Sequence, residues 1–233
     1  MRNTRRTPSN TCFSKADVLL WSLSTVLIVA AFLLFDRHSY LTLAASLVGV
    51  TSLILNAKGN PIGQALIILF SIFYGIISYS FAYYGEMLTY LCMTAPMALV
   101  ALISWLRHPY KGNRAQVTVG RLKGKGEIIL LCILTAAVTT AFYFILAHFH
   151  TANLLPSTLS VTTSFVAVYL TARRSPYFAV AYAANDIVLI VLWTMASLTD
   201  PSYVSVVVCF VMFLINDIYG FISWLKMGKA QAG

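Results

Sequence analysis

Asn185-Asp186-Ile187-Val188-Leu189-Ile190-Val191-Leu192-Trp193 lies inside one long apolar stretch, residues 176–198, and Asn216-Asp217-Ile218-Tyr219-Gly220 lies inside the next, 203–226. An amide and a carboxylate in the middle of such a run are costly if the run lies in lipid. An ionisable side chain at bilayer depth is by default a functional-site hypothesis. Whether the runs lie in lipid therefore decides both the fold and where to look for function.

Composition answers that question. Of 233 residues, 59% are hydrophobic and 10% are charged, with a mean hydropathy of +0.80. Soluble domains carry about a quarter charged residues, so the chain is an integral membrane protein. Apolar runs long enough to cross a hydrocarbon core of about 30 Å recur at 17–35, 40–57, 61–84, 87–106, 128–147, 154–172, 176–198 and 203–225. The expected class is all-α, with eight transmembrane helices. The first run follows a basic stretch as a signal peptide does. It is longer than a signal h-region and ends in Asp36-Arg37 without a small-x-small cleavage site, so it is expected to stay as a helix.

The net charge of +9 does not indicate nucleic acid. With loops assigned alternately to two sides, every Lys and Arg but Arg37 falls on one side. By the positive-inside rule both termini are then cytoplasmic, in a bacterial inner membrane. Asp36, Glu86 and Asp200 fall in the outer loops. Cys12, Cys92, Cys132 and Cys209 are scattered and suggest neither disulfides nor zinc. His148-x-His150 sits at a segment edge and reads as interfacial. The loop 107–127 lacks GxxxxGK[ST], so it cradles no nucleotide phosphate; it reads as a basic connector beside anionic lipid. Without GxSxG or HExxH, an enzyme is not expected.

The chain also repeats itself. Lys58-Gly59-Asn60-Pro61 resembles Arg173-Arg174-Ser175-Pro176, and Ile103-Ser104-Trp105-Leu106-Arg107 resembles Ile222-Ser223-Trp224-Leu225-Lys226. One helix separates two triplets, so the triplets share an orientation and the repeat is parallel. The plan is a tail (1–16), an N-terminal helix (17–36), a first triplet (37–107), a basic loop with linker helix (108–150) and a second triplet (151–233). A 3+1+3 bundle of this kind places its substrate between the halves near mid-membrane.

Side chains suited to that place follow from helical spacing. In the seventh segment Tyr182, Asn185, Asp186, Leu189 and Trp193 share a face. In the eighth, Asn216, Tyr219, Gly220 and Ser223 form a stripe with Asp217 and Trp224 on its flank. The third segment offers Ser71, Tyr74 and Ser78, with Gln64 nearer one end; the fourth offers Tyr90, Thr94 and the kink-prone Pro96. No Lys, Arg or His lies deep in a span to neutralise Asp186 or Asp217. The acids are then protonated, hydrogen-bonded to a partner helix, or paired with a cation that comes and goes. Aromatic neighbours suit a cationic substrate. Against this stands the reading of Asn and Asp as helix glue, at about 0.6 kcal/mol per contact. Trp105, Trp224, Tyr40, Tyr84 and Tyr203, at segment ends, read as aromatic-belt anchors.

The seventh-segment stretch quoted above, followed by Phe213-Leu214-Ile215-Asn216-Asp217-Ile218-Tyr219-Gly220-Phe221-Ile222-Ser223-Trp224, resembles the C-terminal region of PnuC-type nicotinamide riboside transporters. Tyr84-Gly85-Glu86 leading to Pro96-Met97 and Trp105 resembles the family's first triplet, and the likeness runs from about Tyr40 to Lys226. The resemblance implies a fold related to SWEET sugar transporters and uptake of a vitamin-type nucleoside by facilitated diffusion, with trapping by phosphorylation inside. It implies no metal or other cofactor. The implied partners are nicotinamide riboside, a cation, and the lipid bilayer; homo-oligomerisation is left open. The site so implied comprises Asn185, Asp186, Trp193, Asn216, Tyr219, Tyr182, Tyr74, Gln64 and Thr94. Members often carry a Trp just before the polar pair, where this chain has Tyr182-Ala183-Ala184. That departure bears on the ligand more than on the fold. The alternatives are a thiamine or proton-coupled carrier and, in another class, a membrane scaffold or sensor.

Overall fold

A computed structural model describes residues 13–80, 83–122, 124–151 and 153–233. Arg2, Arg5, Arg6, Cys12 and Lys123 lie outside them. Among the described residues, eight helices are long and apolar enough to cross a membrane, as the composition predicts. They are α1 (Lys15–Phe35), α2 (Tyr40–Ala57), α3 (Ile62–Ser80), a fourth span of α4 (Tyr84–Leu88), a π-helical turn (Thr89–Thr94) and α5 (Ala95–Arg107), then α6 (Lys125–His148), α7 (Leu154–Ala172), α8 (Phe178–Ser197) and α9 (Val204–Ala232). At about 1.5 Å per residue, even the shortest of the eight spans most of a hydrocarbon core.

Local chemistry sets the ends. Ser14 and Asp17 form a reciprocal capping box at the start of α1, satisfying donors that lipid could not. Pro96 lacks the N–H that Cys92 would receive. The chain answers with the wider turn at Thr89–Thr94 rather than a break. Hydroxyls within the spans mostly bond back to their own helix, as Ser46 does to Thr42 and Ser71 to Ile67, which neutralises them in an apolar setting.

Three expectations change. The fourth span begins at Tyr84, so Tyr84-Gly85-Glu86 is a first helical turn and not an outer loop. Gly85 is what allows this: a Cβ there would meet Leu146, Ser157 and Thr151 at 3.2–3.3 Å. The basic connector contains a small antiparallel hairpin, β1 (Pro109–Tyr110) and β2 (Asn113–Val117). Trp105 and Trp224 are not belt anchors. Both are fully buried, with ring centres 5.3 Å apart.

Those two tryptophans show how the triplets are joined at their basic end. Trp105 of the first triplet donates to the Thr171 carbonyl of the second at 3.0 Å, and Trp224 of the second donates to the Asn56 carbonyl of the first at 2.7 Å. The preceding serines repeat the exchange, Ser104 to Ala172 (2.9 Å) and Ser223 to Ala57 (2.7 Å). Both receiving helices close on a left-handed residue, Gly59 (φ 66°) and Arg174 (φ 58°). Those two residues accept from the connector in turn, Gly59 from Val117 and Arg174 from Gly120. Such paired contacts are what two like-oriented triplets produce across a pseudo-twofold axis along the membrane normal, and they account for the twin ISWL endings. α1 packs on α2 and α9, and α6 packs mainly on α7. α6 leaves Ile128, Ile129, Ile133 and Phe144 exposed, as a peripheral lipid-facing helix would.

Candidate functional site

Midway along the second triplet the side-chain chemistry changes character. Asn185 of α8 is buried, and its amide oxygen takes three hydroxyls from α7: Ser160 at 3.2 Å, Thr163 at 2.9 Å and Ser164 at 3.0 Å. An amide oxygen has two lone pairs, so the three hydroxyls do not all bond it at once, and Thr163 can turn to the Leu159 or Ser160 carbonyl instead. Ser160 also reaches a Glu86 carboxylate oxygen at 3.3 Å, and its single proton serves one partner at a time. Tyr90 of the fourth span lies beside Asn185. Asn185 therefore links α8 of the second triplet to the fourth span of the first, with α7 between them.

An aromatic cluster lies against this group. The Trp193 indole N–H donates to the Tyr74 hydroxyl at 2.6 Å, bringing α8 to α3. Tyr74 meets Tyr90 at 4.4 Å between ring centres, and Trp193 meets Tyr83 at 5.0 Å and Tyr203 at 5.6 Å. Tyr203, expected at the membrane surface, thus joins the aromatic wall. The cavity beside Tyr74, lined also by Phe70, Ile77 and Phe210, measures about 10 Å³. It is far smaller than a nucleoside, so the rings fill the seam with their own bulk.

Glu86 is completely buried, and its second carboxylate oxygen has no hydrogen-bond partner. From Gly59 to Leu106 the sequence holds no Lys, Arg or His. Asp186 and Asp217 are both buried and neighbour each other between α8 and α9. Asp186 keeps one oxygen unpartnered, and so does Asn216. A buried polar atom without a partner is a place that a ligand, an ion or a water would satisfy.

The structure sorts the predicted residues into two sets. Asn185, Trp193 and Tyr74 come together around Tyr90 and Glu86, with Asp186 next to Asn185 on α8. Thr94 closes the π-helical turn, buried and with its hydroxyl unpartnered. The others face elsewhere. Asn216 donates to Ser24 of α1 at 3.0 Å and to its own helix at Met212. Tyr219 donates to Asp17 of α1 at 2.6 Å, beside the Lys58–Asp17 ion pair. Gln64 donates to Asn56 at 2.9 Å, at the basic end. Tyr182 reaches Thr171 and packs on Phe178. The reason is helical phase: the stripe through Asn216 and Tyr219 turns toward α1, which a reading of the two triplets alone leaves out. Glu86, Ser160, Thr163, Ser164 and Tyr83 were missed. The hydroxyls at 157, 160 and 164 form a visible helical stripe in the sequence. Glu86 gave no such signal, because its tripeptide reads as a turn.

The nicotinamide mononucleotide transporter family profile matches residues 39–226. A nicotinamide riboside transporter PnuC from Neisseria mucosa is 28% identical over 221 residues, covering 92% of this chain and 82% of that one. The crystal structure of the vitamin B3 transporter PnuC superposes with a TM-score of 0.82 at 22% identity, over 94% of each chain.

Proposed function

The chain belongs to the nicotinamide mononucleotide transporter family, a family of membrane transporters and not of enzymes, and from that premise we propose that it carries nicotinamide riboside by facilitated diffusion. The observation that carries the reading is the buried cluster in which Asn185, Trp193, Tyr74, Tyr90 and Glu86 meet across the two triplets. It offers an amide and hydroxyls for a ribose or carboxamide, aromatic faces for a ring, and acids without a basic partner. That last feature favours the nucleoside over its phosphate ester. The stretches 59–106, 154–172 and 175–225 contain no Lys, Arg or His, and a phosphate brought to mid-membrane needs cationic partners.

Movement follows from the joints. The mirrored Trp and Ser bonds close the basic end, and the aromatic seam fills the middle. Rocking of one triplet (37–107) against the other (151–233) would part the rings on one side at a time. The basic end is the cytoplasmic one, with both termini there, because nearly all Lys and Arg gather on it. Phosphorylation of the released nucleoside on that side would trap it. The carrier itself needs no metal, ATP or flavin in this scheme.

Uptake of labelled nicotinamide riboside into proteoliposomes tests it. Uptake should level off at equal inside and outside concentrations and should be unchanged by an imposed pH gradient. Stimulation by the gradient would replace simple diffusion with proton coupling. Absence of uptake with retained folding would favour a scaffold or sensor.

A further inference from the structure

We propose that Glu86 is the counter-charge that selects a cationic ring over a neutral one in this site. The inference rests on the reading of the Asn185–Trp193 cluster as the substrate site.

Four carboxylates are buried in the spans, and the contacts distinguish them. Asp17 is satisfied by Lys58 at 2.6 Å and by the Tyr219 hydroxyl. Asp186 and Asp217 neighbour each other between α8 and α9, and two adjacent carboxyls in an apolar setting do not both carry charge. Glu86 has one 3.3 Å hydrogen bond from Ser160, one unpartnered oxygen and no exposure. A carboxylate buried like this is stable as the neutral acid or beside a cation. Neighbouring chemistry favours a cation that visits. Ser160 connects Glu86 to Asn185, and Tyr90, one helical turn on, presents its ring to Tyr74 at 4.4 Å. A flat cation lying on those rings would meet the carboxylate at its edge, adding charge attraction to cation–π contact. Gly85 lets the start of the fourth span approach α6 and α7 closely, since a Cβ there would meet Leu146 and Ser157 at 3.2 Å.

The test is calorimetric binding of two ligands of nearly one shape: nicotinamide riboside, whose pyridinium is positive, and its 1,4-dihydro form, whose ring is neutral. Wild-type protein should prefer the cation by about tenfold or more. Glu86→Gln should weaken the cation by about tenfold and move the neutral form by less than about threefold. Glu86→Asp, which keeps the charge, should retain the preference at lower affinity. A preference unchanged in Glu86→Gln overturns the proposal, as does an equal loss for both ligands, or a collapse of preference in Asp186→Asn instead. Should Glu86→Gln not fold, Glu86→Ala takes its place: a loss larger for the cation supports the assignment, and equal losses overturn it. Wild-type protein that binds neither ligand overturns the substrate reading itself, and Glu86's role with it.

Discussion

The basic end of the bundle and its middle are built on opposite rules. At the basic end the Trp and Ser joints between the triplets come in pairs: Trp105 answers Trp224, Ser104 answers Ser223, and Gly59 answers Arg174 toward the connector. In the middle the correspondence fails. Carried in register from the two matching turns, Asn185 falls opposite Phe70, Asp186 opposite Ser71, and Ser164 opposite Gly49. At these positions one half carries an amide, a carboxyl and a hydroxyl, and the other a ring, a hydroxyl and a small residue. A joint that must hold both halves alike gains from symmetry. A small asymmetric ligand does not, so the site is where the two copies diverge.

The comparison can be broken most severely in the middle. Asn185→Leu removes the acceptor shared by Ser160, Thr163 and Ser164; Ser160 can turn to Glu86 and Thr163 to its own helix, so Ser164 is the hydroxyl left unpaired, at about 1–3 kcal/mol. Binding of nicotinamide riboside should fall below calorimetric detection while the solubilised protein keeps its elution volume. Next comes Gly49→Val, on the side where the repeat carries glycine. A Cβ there would stand 2.2 Å from the Phe213 ring, so α2 and α9 must separate. Overpacking of this kind costs about 1–3 kcal/mol and should show as a clear drop in melting temperature.

The basic end gives a sharper test through equality. Trp105→Phe and Trp224→Phe each remove one crossing hydrogen bond, while the Thr171 and Asn56 carbonyls keep the backbone N–H of Arg174 and of Gly59, so about 0.5–1.5 kcal/mol apiece is at stake. The two should lower the melting temperature by similar amounts. A twofold difference between them would say that the mirrored contacts do unequal work. The smallest effect is expected from Glu127→Gln, which removes the Arg173–Glu127 pair. That pair is partly exposed, so about 1 kcal/mol or less is at stake. Asp17→Asn should cost more, because the Asp17 side chain is fully buried under Lys58.

Much of this was legible in the chain alone. Apolar length gave eight spans because each must cross the same thickness, and the paired turns and ISWL endings gave the two triplets. Asn185, Tyr74 and Trp193 were legible too, since polar and aromatic groups on one helical face have few other uses in lipid. Glu86 was not, because a tyrosine–glycine–acid run reads as a turn until Gly85 is seen packed against Leu146. Nor was the turning of Asn216 and Tyr219 toward α1.

The sequence by itself determined the medium, the number of crossings and the duplication, all of which follow from composition and period. Tertiary structure alone decided which buried polar groups meet which partners. Periodicity fixes the face of a helix on which a side chain lies. What stands opposite that face depends on how neighbouring helices pack, and here that packing separated the helix-joining pairs, Asn216–Ser24 and Tyr219–Asp17, from the acids left with an oxygen to offer.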